Sequence, residues 1–283
     1  MHFYRGNIRR KRRMLKLQRS PRGSFFSYIF VNKITNSLKN AKPKSQVIAF
    51  YPLKLSRRSS FWNAFLSSAA LPPPALVTAA AQDHGVHADM GNREGRFRLW
   101  RELLARSEGE PARWLYAVPP AACTRLASLS RAIGGGPTAD TGAAAVLGAL
   151  SMPEVAERSD REGVLVVNVG NSHTLGFLVF RRRILGVYEH HTGLLSTEKL
   201  LKDLDEFRRG WLPDEQVRAA GGHGCIMLDP PAEAEGFRPA FILGPRRELL
   251  AGHGSFIAPH GDMMLAGCHG LLHGLALQAA ARG

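Results

Sequence analysis

The sequence predicts a mixed α/β protein, and three observations carry that prediction. In "VLVVNVGNSHTLGFLVF", Val164 to Phe180, two apolar strands meet at a polar, glycine-containing turn, and a third strand follows after "RRR". Beyond that meander, amphipathic helical segments alternate with short strands, the pattern of helices packed on a sheet. The basic charge that suggests a nucleic-acid binder is confined to one end of the chain.

Residues 1–60 hold sixteen Lys and Arg and no acid, whereas the remainder holds twenty-two basic against twenty-three acidic residues. The whole formal excess of +15 therefore lies in the first sixty residues. Seven of the nine lysines fall there too, a break in usage that marks 1–60 as an appended tail, disordered or artefactual. Its cluster "RRKRRMLK", Arg9 to Lys16, suits nucleic acid or anionic lipid, because clustered cations release counterions from a polyanion. An Arg-rich, acid-free, Ser-containing start also matches a transit peptide. No transmembrane helix is predicted. "SFFSYIFV", Ser24 to Val31, falls far short of the roughly 20 apolar residues a span needs, and the apolar stretch from Phe61 to Ala81 is broken by Pro72, Pro73 and Pro74. The core reads as cytoplasmic. Cys123, Cys225 and Cys268 are odd in number and widely spaced, with no CxxC, so neither a disulfide framework nor a radical iron–sulfur enzyme is expected.

The elements follow in order. "LPPPALVTAAAQDHG" predicts a strand ending near Ala81 and then a polar loop, Gln82 to Gly85. "NREGRFRLWRELLARS" is a helix, with Phe97, Trp100, Leu103 and Leu104 at helical spacing and Gly109 just beyond. "WLYAVPP" is a strand candidate stopped by Pro119 and Pro120. "ADTGAAAVLGAL" is a helix of small residues, capped by Asp140 or Thr141. After the meander, Ser196 or Thr197 caps an amphipathic helix whose apolar face is Leu200, Leu201, Leu204 and Phe207, with Gly210 as its stop. "GGHGCIMLDPP" and "PAFILGPRRELL" each supply a strand with a glycine loop, and "IAPHGDMMLAGCHGLLHGLALQAA" ends the chain as loop and helix.

The turn is richer than a bend requires. A simple hairpin needs one glycine and an asparagine, as in a type I′ or II′ turn centred on Gly170-Asn171. Here Asn168, Gly170, Asn171, Ser172, His173 and Thr174 all lie at the bend. Exposed amides at a tight glycine turn make an anion-binding concavity, to which a hydroxyl adds a donor. Both readings fit the residues.

The sequence around this hairpin resembles the actin-like ATPase superfamily of actin, the large heat-shock chaperones and sugar kinases. That fold, of the ribonuclease H-like kind, has two related domains, each opening with such a hairpin and holding nucleotide between them. "NVGNSHT" looks like its second phosphate hairpin and "ADTGAAAVLGAL" like the connecting helix. The chain is also similar to a family labelled pyruvate formate-lyase activating proteins. That resemblance rests on "QDHG", "NREGRFRLW", "DTGAAAVLGAL", "NVGNSHT", "GGHG", "GPRR" and "HGDMMLAGCHGLL", from about Leu76 to the C-terminus.

The resemblance implies ATP or ADP with magnesium as cofactor, with phosphate at the Asn168–Thr174 turn. It implies Gly244, Arg246, Gly261 and Asp262 on late loops approaching the nucleoside, and Asp140 at the cleft, where a carboxylate holds water on magnesium. Three departures stand out. Asn168 replaces the usual Asp and cannot act as a base; His173 displaces the Thr; and no first phosphate hairpin is recognised before Leu76. The expected organisation is thus a 1–60 extension, 61–150 as the end of a truncated first domain with its connecting helix, and 151–283 as a complete second domain.

The expected function is nucleotide or phosphorylated-ligand binding, with phosphoryl transfer or ATP hydrolysis as the reaction class if the chain is an enzyme. A non-catalytic scaffold is the alternative, and nucleic-acid or membrane association through the basic tail a third. No metal ligands are assigned. His269 and His273 share a helix face, but Gly270 and Gly274, which directly follow each of them, point to close helix packing. His84, His190 and His191 can join a site only through folding.

Overall fold

The computed structural model describes residues 74–281, together with 30–31, 47–50, 67, 68 and 70. The basic cluster Arg9–Lys16, most of Ser24–Val31, and nearly all of the 1–60 segment and of the apolar stretch up to Pro73 lie outside the described residues.

The meander forms as its alternation dictates. Strand β5 (Val164–Val169) pairs antiparallel with β6 (His173–Phe180), which pairs antiparallel with β7 (Arg183–His191) and that with β8 (Gly224–Met227). On its other edge β5 pairs in parallel with β9 (Ala240–Leu243), and β9 with β10 (Ser255–Phe256), so the six-stranded order is β10-β9-β5-β6-β7-β8. Successive side chains point to opposite faces. Val164, Val166, Phe177 and Val179 enter one apolar cluster, Leu165, Val167, Leu178 and Phe180 another. Burial on both faces explains why β5 reads as an unbroken apolar run.

A smaller sheet runs β1 (Phe30–Val31), β2 (Val47–Phe50), β3 (Leu76–Ala80), β4 (Thr138–Ala139), with β2, β3 and β4 parallel. Ala80 and Ala139 from this sheet share a core cluster with Val166 and Phe177 of the other, so one apolar layer joins the two. Helix α1 (Asn92–Ser107) lies in that layer through Phe97, Trp100 and Leu104.

The small-residue segment is helix α3 (Thr141–Leu150), N-capped by Asp140, whose carboxylate accepts from the Gly142 amide. It packs on the terminal helix α7 (Ala266–Ala280) closely enough that a Cβ at Gly270 would lie 1.8 Å from the Ala144 oxygen. Helix α5 (Thr197–Arg208) is capped by Ser196 and covers the opposite face of the large sheet through Leu200, Leu204 and Phe207. A cavity of about 1030 Å³ opens on that face, lined by Leu165, Val167, Leu204 and Ile242 with Arg208 and Arg238. None of the residues predicted for the site lines it.

Three expectations change. "WLYAVPP" is not a strand: only its Trp114 lies in a helix, the end of the 3-10 turn Pro111–Trp114, and Tyr116 makes a single bridge to Thr138, because Trp114 turns inward against Trp100 and Phe177 and the prolines end pairing. Helices α2 (Thr124–Ala132) and α4 (Pro153–Arg161) arise where no helix is predicted. The remaining short helix, α6 (Asp214–Ala219), precedes β8. Among the described residues, no helix is long and apolar enough to cross a membrane.

Candidate functional site

The loop after β3, the start of α1, the N-terminus of α3 and the hairpin ends of β6 and β7 converge on one buried cation. Arg96 is 2% exposed, one turn before Trp100 on the inward face of α1. Its Nε donates to both Glu189 oxygens, at 2.8 and 2.6 Å. Nη1 donates to Asp140 Oδ2 and to the Asp83 carbonyl, both at 2.8 Å, and Nη2 to Asp140 Oδ1 at 3.1 Å. Burial alone would depress the guanidinium pKa, but pairing with Asp140 and Glu189 outweighs it and the net shift is upward. Trp100 Nε1 and Gln82 Nε2 each add a 3.1 Å bond to Glu189. Asp83 accepts the amides of Gly85 and Leu126.

Against this cluster stand four imidazoles. His84 follows Asp83, His173 opens β6, His191 closes β7, and His223 precedes β8. Ring centroids are 4.7 Å apart for His173–His191 and His191–His223, 5.0 Å for His173–His223 and 5.6 Å for His84–His223. One nitrogen from each of His84, His173 and His223 lies within 4.8 Å of the others. Desolvation, then the neighbouring His191 and Arg96, lowers His173 to about 4. Desolvation and Arg96 lower His223 to about 2, and the same two causes lower His84. Desolvation lowers His191 as well, so burial disfavours the charged form of all four rings.

The predicted phosphate residues divide by orientation. Asn171 and Ser172 are exposed at the tip, where Gly170 N–H donates to the His173 carbonyl at 2.9 Å. Thr174 is buried, its hydroxyl 2.9 Å from that of Thr192, and His173 Nδ1 faces Gln82 Nε2 at 3.2 Å. Asn168 is half-buried at the end of β5. Gly244 lies beside it: at φ +103°, it approaches so closely that a Cβ would sit 2.3 Å from the Val169 oxygen and 2.7 Å from Asn168 Oδ1. The Arg246 amide donates to the Val169 carbonyl at 2.9 Å, and its side chain is exposed. The hairpin and the Gly244–Arg246 loop therefore share one sheet end.

Asp140 and Asp262 are not brought together. Asp140 caps the N-terminus of α3, its oxygens occupied by Arg96 and by the Gly142 and Asp83 amides. Gly261 and Asp262 follow His260, whose ring meets Ser151 at the other end of α3; a ten-residue helix is about 15 Å long. Asp262 caps the short turn Met263–Leu265.

Arg96, Glu189 and His223 have no assigned role in the sequence reading, and His84 and His191 stand there only as histidines awaiting the fold. One signal was available for Arg96, which falls four residues before Trp100 on an otherwise apolar stripe.

A family model described as "Putative pyruvate format-lyase activating enzyme (DUF1786)" matches residues 34–249. Its match begins inside the basic segment and ends before the final loop and helix. Among solved structures, the chain is similar to MreB 5 of Spiroplasma citri bound to AMPPNP. Identity is 12% over 90% of this chain and 88% of that one, with a TM-score of 0.35. No curated protein matches the chain.

Proposed function

The chain belongs to the family carrying that description, and we propose that its function is to bind a phosphorylated ligand, in the first instance a nucleotide, at the Asn168–Thr174 turn. The observation that carries the proposal is the meeting of that turn with the Gly244–Arg246 loop at the carboxyl ends of the parallel strands β5 and β9. Ligands of open α/β sheets bind outside the carboxyl ends of strands where the topology reverses. Here that point lies between β5 and β9, because the chain leaves β5 toward β6 on one side and β9 toward β10 on the other.

Asn171 and Ser172 offer exposed donors at the tip, and Arg246 is an exposed guanidinium able to pair with phosphate. The meander followed by alternating helices and parallel strands supports an actin-like scaffold, with ATP or ADP as the ligand. The nearby carboxylates suit magnesium less well. Asp140 and Glu189 are paired with Arg96, and Asp83 holds two amides. In this reading the turn holds phosphate oxygens, and any magnesium rides on the phosphates and water.

Binding without phosphoryl transfer is the form we favour, because Asn168 is neutral and Asp140 is fully bonded. Radical iron–sulfur chemistry finds no support in the cysteines. Cys123, Cys225 and Cys268 are buried at the start of α2, in β8 and in α7, and desolvation pushes their thiols up to about 12, 12 and 11.

Calorimetric titration of ATP and ADP, with and without magnesium, tests the proposal on the intact chain and on an Asn171→Ala/Ser172→Ala variant. Both side chains are exposed, so the fold should survive. Hydrogen bonds to a charged group contribute roughly 1.5–3 kcal/mol each, so the variant should bind at least about tenfold more weakly. Absence of saturable binding at millimolar nucleotide, or unchanged affinity in the variant, refutes the assignment.

A further inference from the structure

We propose that His84, His173 and His223 form a binding site for a divalent first-row transition metal ion, of which zinc is the representative. The site lies inward of the hairpin tip, and two of its three ligands lie outside the hairpin, so it goes beyond the phosphate reading.

Geometry supplies the first argument. The three ligand nitrogens already lie within 4.8 Å of one another, while zinc–nitrogen bonds of about 2.0–2.1 Å in a tetrahedral site place ligands about 3.3 Å apart. Closing that difference needs side-chain adjustment of at most about 1.5 Å per pair. The ligands come from three segments: the loop after β3, the first residue of β6, and the residue before β8. Folding assembles them.

Unsatisfied atoms supply the second. His173 Nε2 and His223 Nδ1 are buried polar atoms without a hydrogen-bond partner. Such atoms are costly and uncommon in native interiors, and two of them in neighbouring rings are accounted for by a shared ligand. The carboxamide Nε2 of Gln82 lies 3.2 Å from His173 Nδ1 and donates to Glu189 at 3.1 Å, so it ties the His173 ring to the carboxylate cluster and leaves Nε2 as the nitrogen facing the other imidazoles.

Charge supplies the third. Asp83, Asp140 and Glu189 are at most 8% exposed, and the buried cation among them is Arg96. Acidic side chains thus outnumber the buried cation beside the imidazoles, and such surroundings favour a dication. Imidazole ligands select zinc and its first-row neighbours over magnesium or calcium, which prefer oxygen. Three protein ligands leave the fourth position to a solvent oxygen. His191 lies beside two of the three rings, its centroid 4.7 Å from those of His173 and His223.

The test uses the full chain freed of metal by a chelator, then titrated with zinc against a chromophoric competitor. One equivalent should bind, and should raise the melting temperature. His84→Ala, His173→Ala and His223→Ala should each weaken binding at least about 100-fold, more than the 10–100-fold typical of losing an outer-shell partner. His253→Ala, at an exposed histidine elsewhere, should not. Metal-free melts establish that each variant folds, and His→Asn replaces His→Ala wherever it does not. Sub-stoichiometric binding by the wild type, retained affinity in a folded ligand variant, or equal loss in His253→Ala overturns the proposal.

Discussion

Replacing Arg96 with methionine tests whether the two sheets are tied by charge or only by packing. The methionine keeps much of the apolar stem but removes five donated bonds, to Glu189, Asp140 and the Asp83 carbonyl. Removing one partner of a buried ion pair costs about 3–5 kcal/mol, because the other charge is stranded. Here one cation serves two carboxylates, which argues for more. Each carboxylate keeps other donors, however: Asp140 the amides of Gly142 and Asp83, Glu189 the Trp100 and Gln82 N–H groups. The two corrections oppose each other, so a loss of about 3–5 kcal/mol in urea unfolding followed by circular dichroism is expected. A Glu189→Gln substitution should be destabilising in the wild type but neutral or stabilising beside Arg96→Met, where it removes the stranded charge. The coupling should exceed about 1 kcal/mol. A single-variant cost under about 1 kcal/mol, or a Glu189→Gln effect that is the same in both backgrounds, would refute the reasoning.

Two further outcomes follow from the terminal helix. Gly270→Ala places a Cβ 1.8 Å from the Ala144 oxygen and 2.6 Å from the Gly148 amide, both backbone atoms, so α3 and α7 must separate. Overpacking of this kind costs about 1–3 kcal/mol. In Gly274→Ala the nearest atom is the flexible tip of Leu147 at 3.3 Å, and the gain in helix propensity should leave stability level or higher; equal melting temperatures for the two variants would contradict the packing argument. His269 and His273 are both lowered below 6.5, chiefly by burial, then by His260 for the first and by Arg182 and His260 for the second, with Asp262 opposing at His269. The unfolded chain therefore takes up these protons first. Their contribution is intact above pH 6.5 and declines as pH falls below it. Urea midpoints at pH 7.5 and 5.5 should differ less in a His269→Asn/His273→Asn variant than in the wild type, and an unchanged difference would count against it.

What the sequence reveals is what repeats along the chain. The strands of the meander, the cap of α3 and the apolar face of α5 follow from alternation, from Asp140 before small residues, and from leucines at helical spacing; each is a local pattern with a local cause. Helices α2 and α4 escape because "TRLASLSRA" and "PEVAERSDR" are short and mostly polar. Each buries only three residues, so tertiary contact, not propensity, decides them. "WLYAVPP" has strand composition, yet Trp114 is worth more in the aromatic cluster with Trp100 and Phe177 than in a ladder that two prolines would cut short.

The turn shows the same division at one site. Six polar or flexible residues at a bend read as a single phosphate-binding run, but the strand boundary divides them: Asn171 and Ser172 lie in the turn, whereas His173 and Thr174 are paired in β6. Asn171 and Ser172 remain outside, while His173 and Thr174 turn inward to Gln82 and Thr192. Two of the six thus serve the interior, where their neighbours are Gln82, His84, His191, Thr192 and His223, residues that no spacing connects in the sequence. Only the pairing of β6 with β7, and the packing of the β3 loop against both, makes them neighbours. A metal site built from strand ends of two sheets leaves no periodic trace, whereas one built on a single helix does. The i, i+4 pair His269 and His273 has that helical trace, yet the glycines between and beyond them serve helix contact with α3, and the three proposed ligands lie in "QDHG", "NVGNSHT" and "GGHG", stretches that no spacing joins.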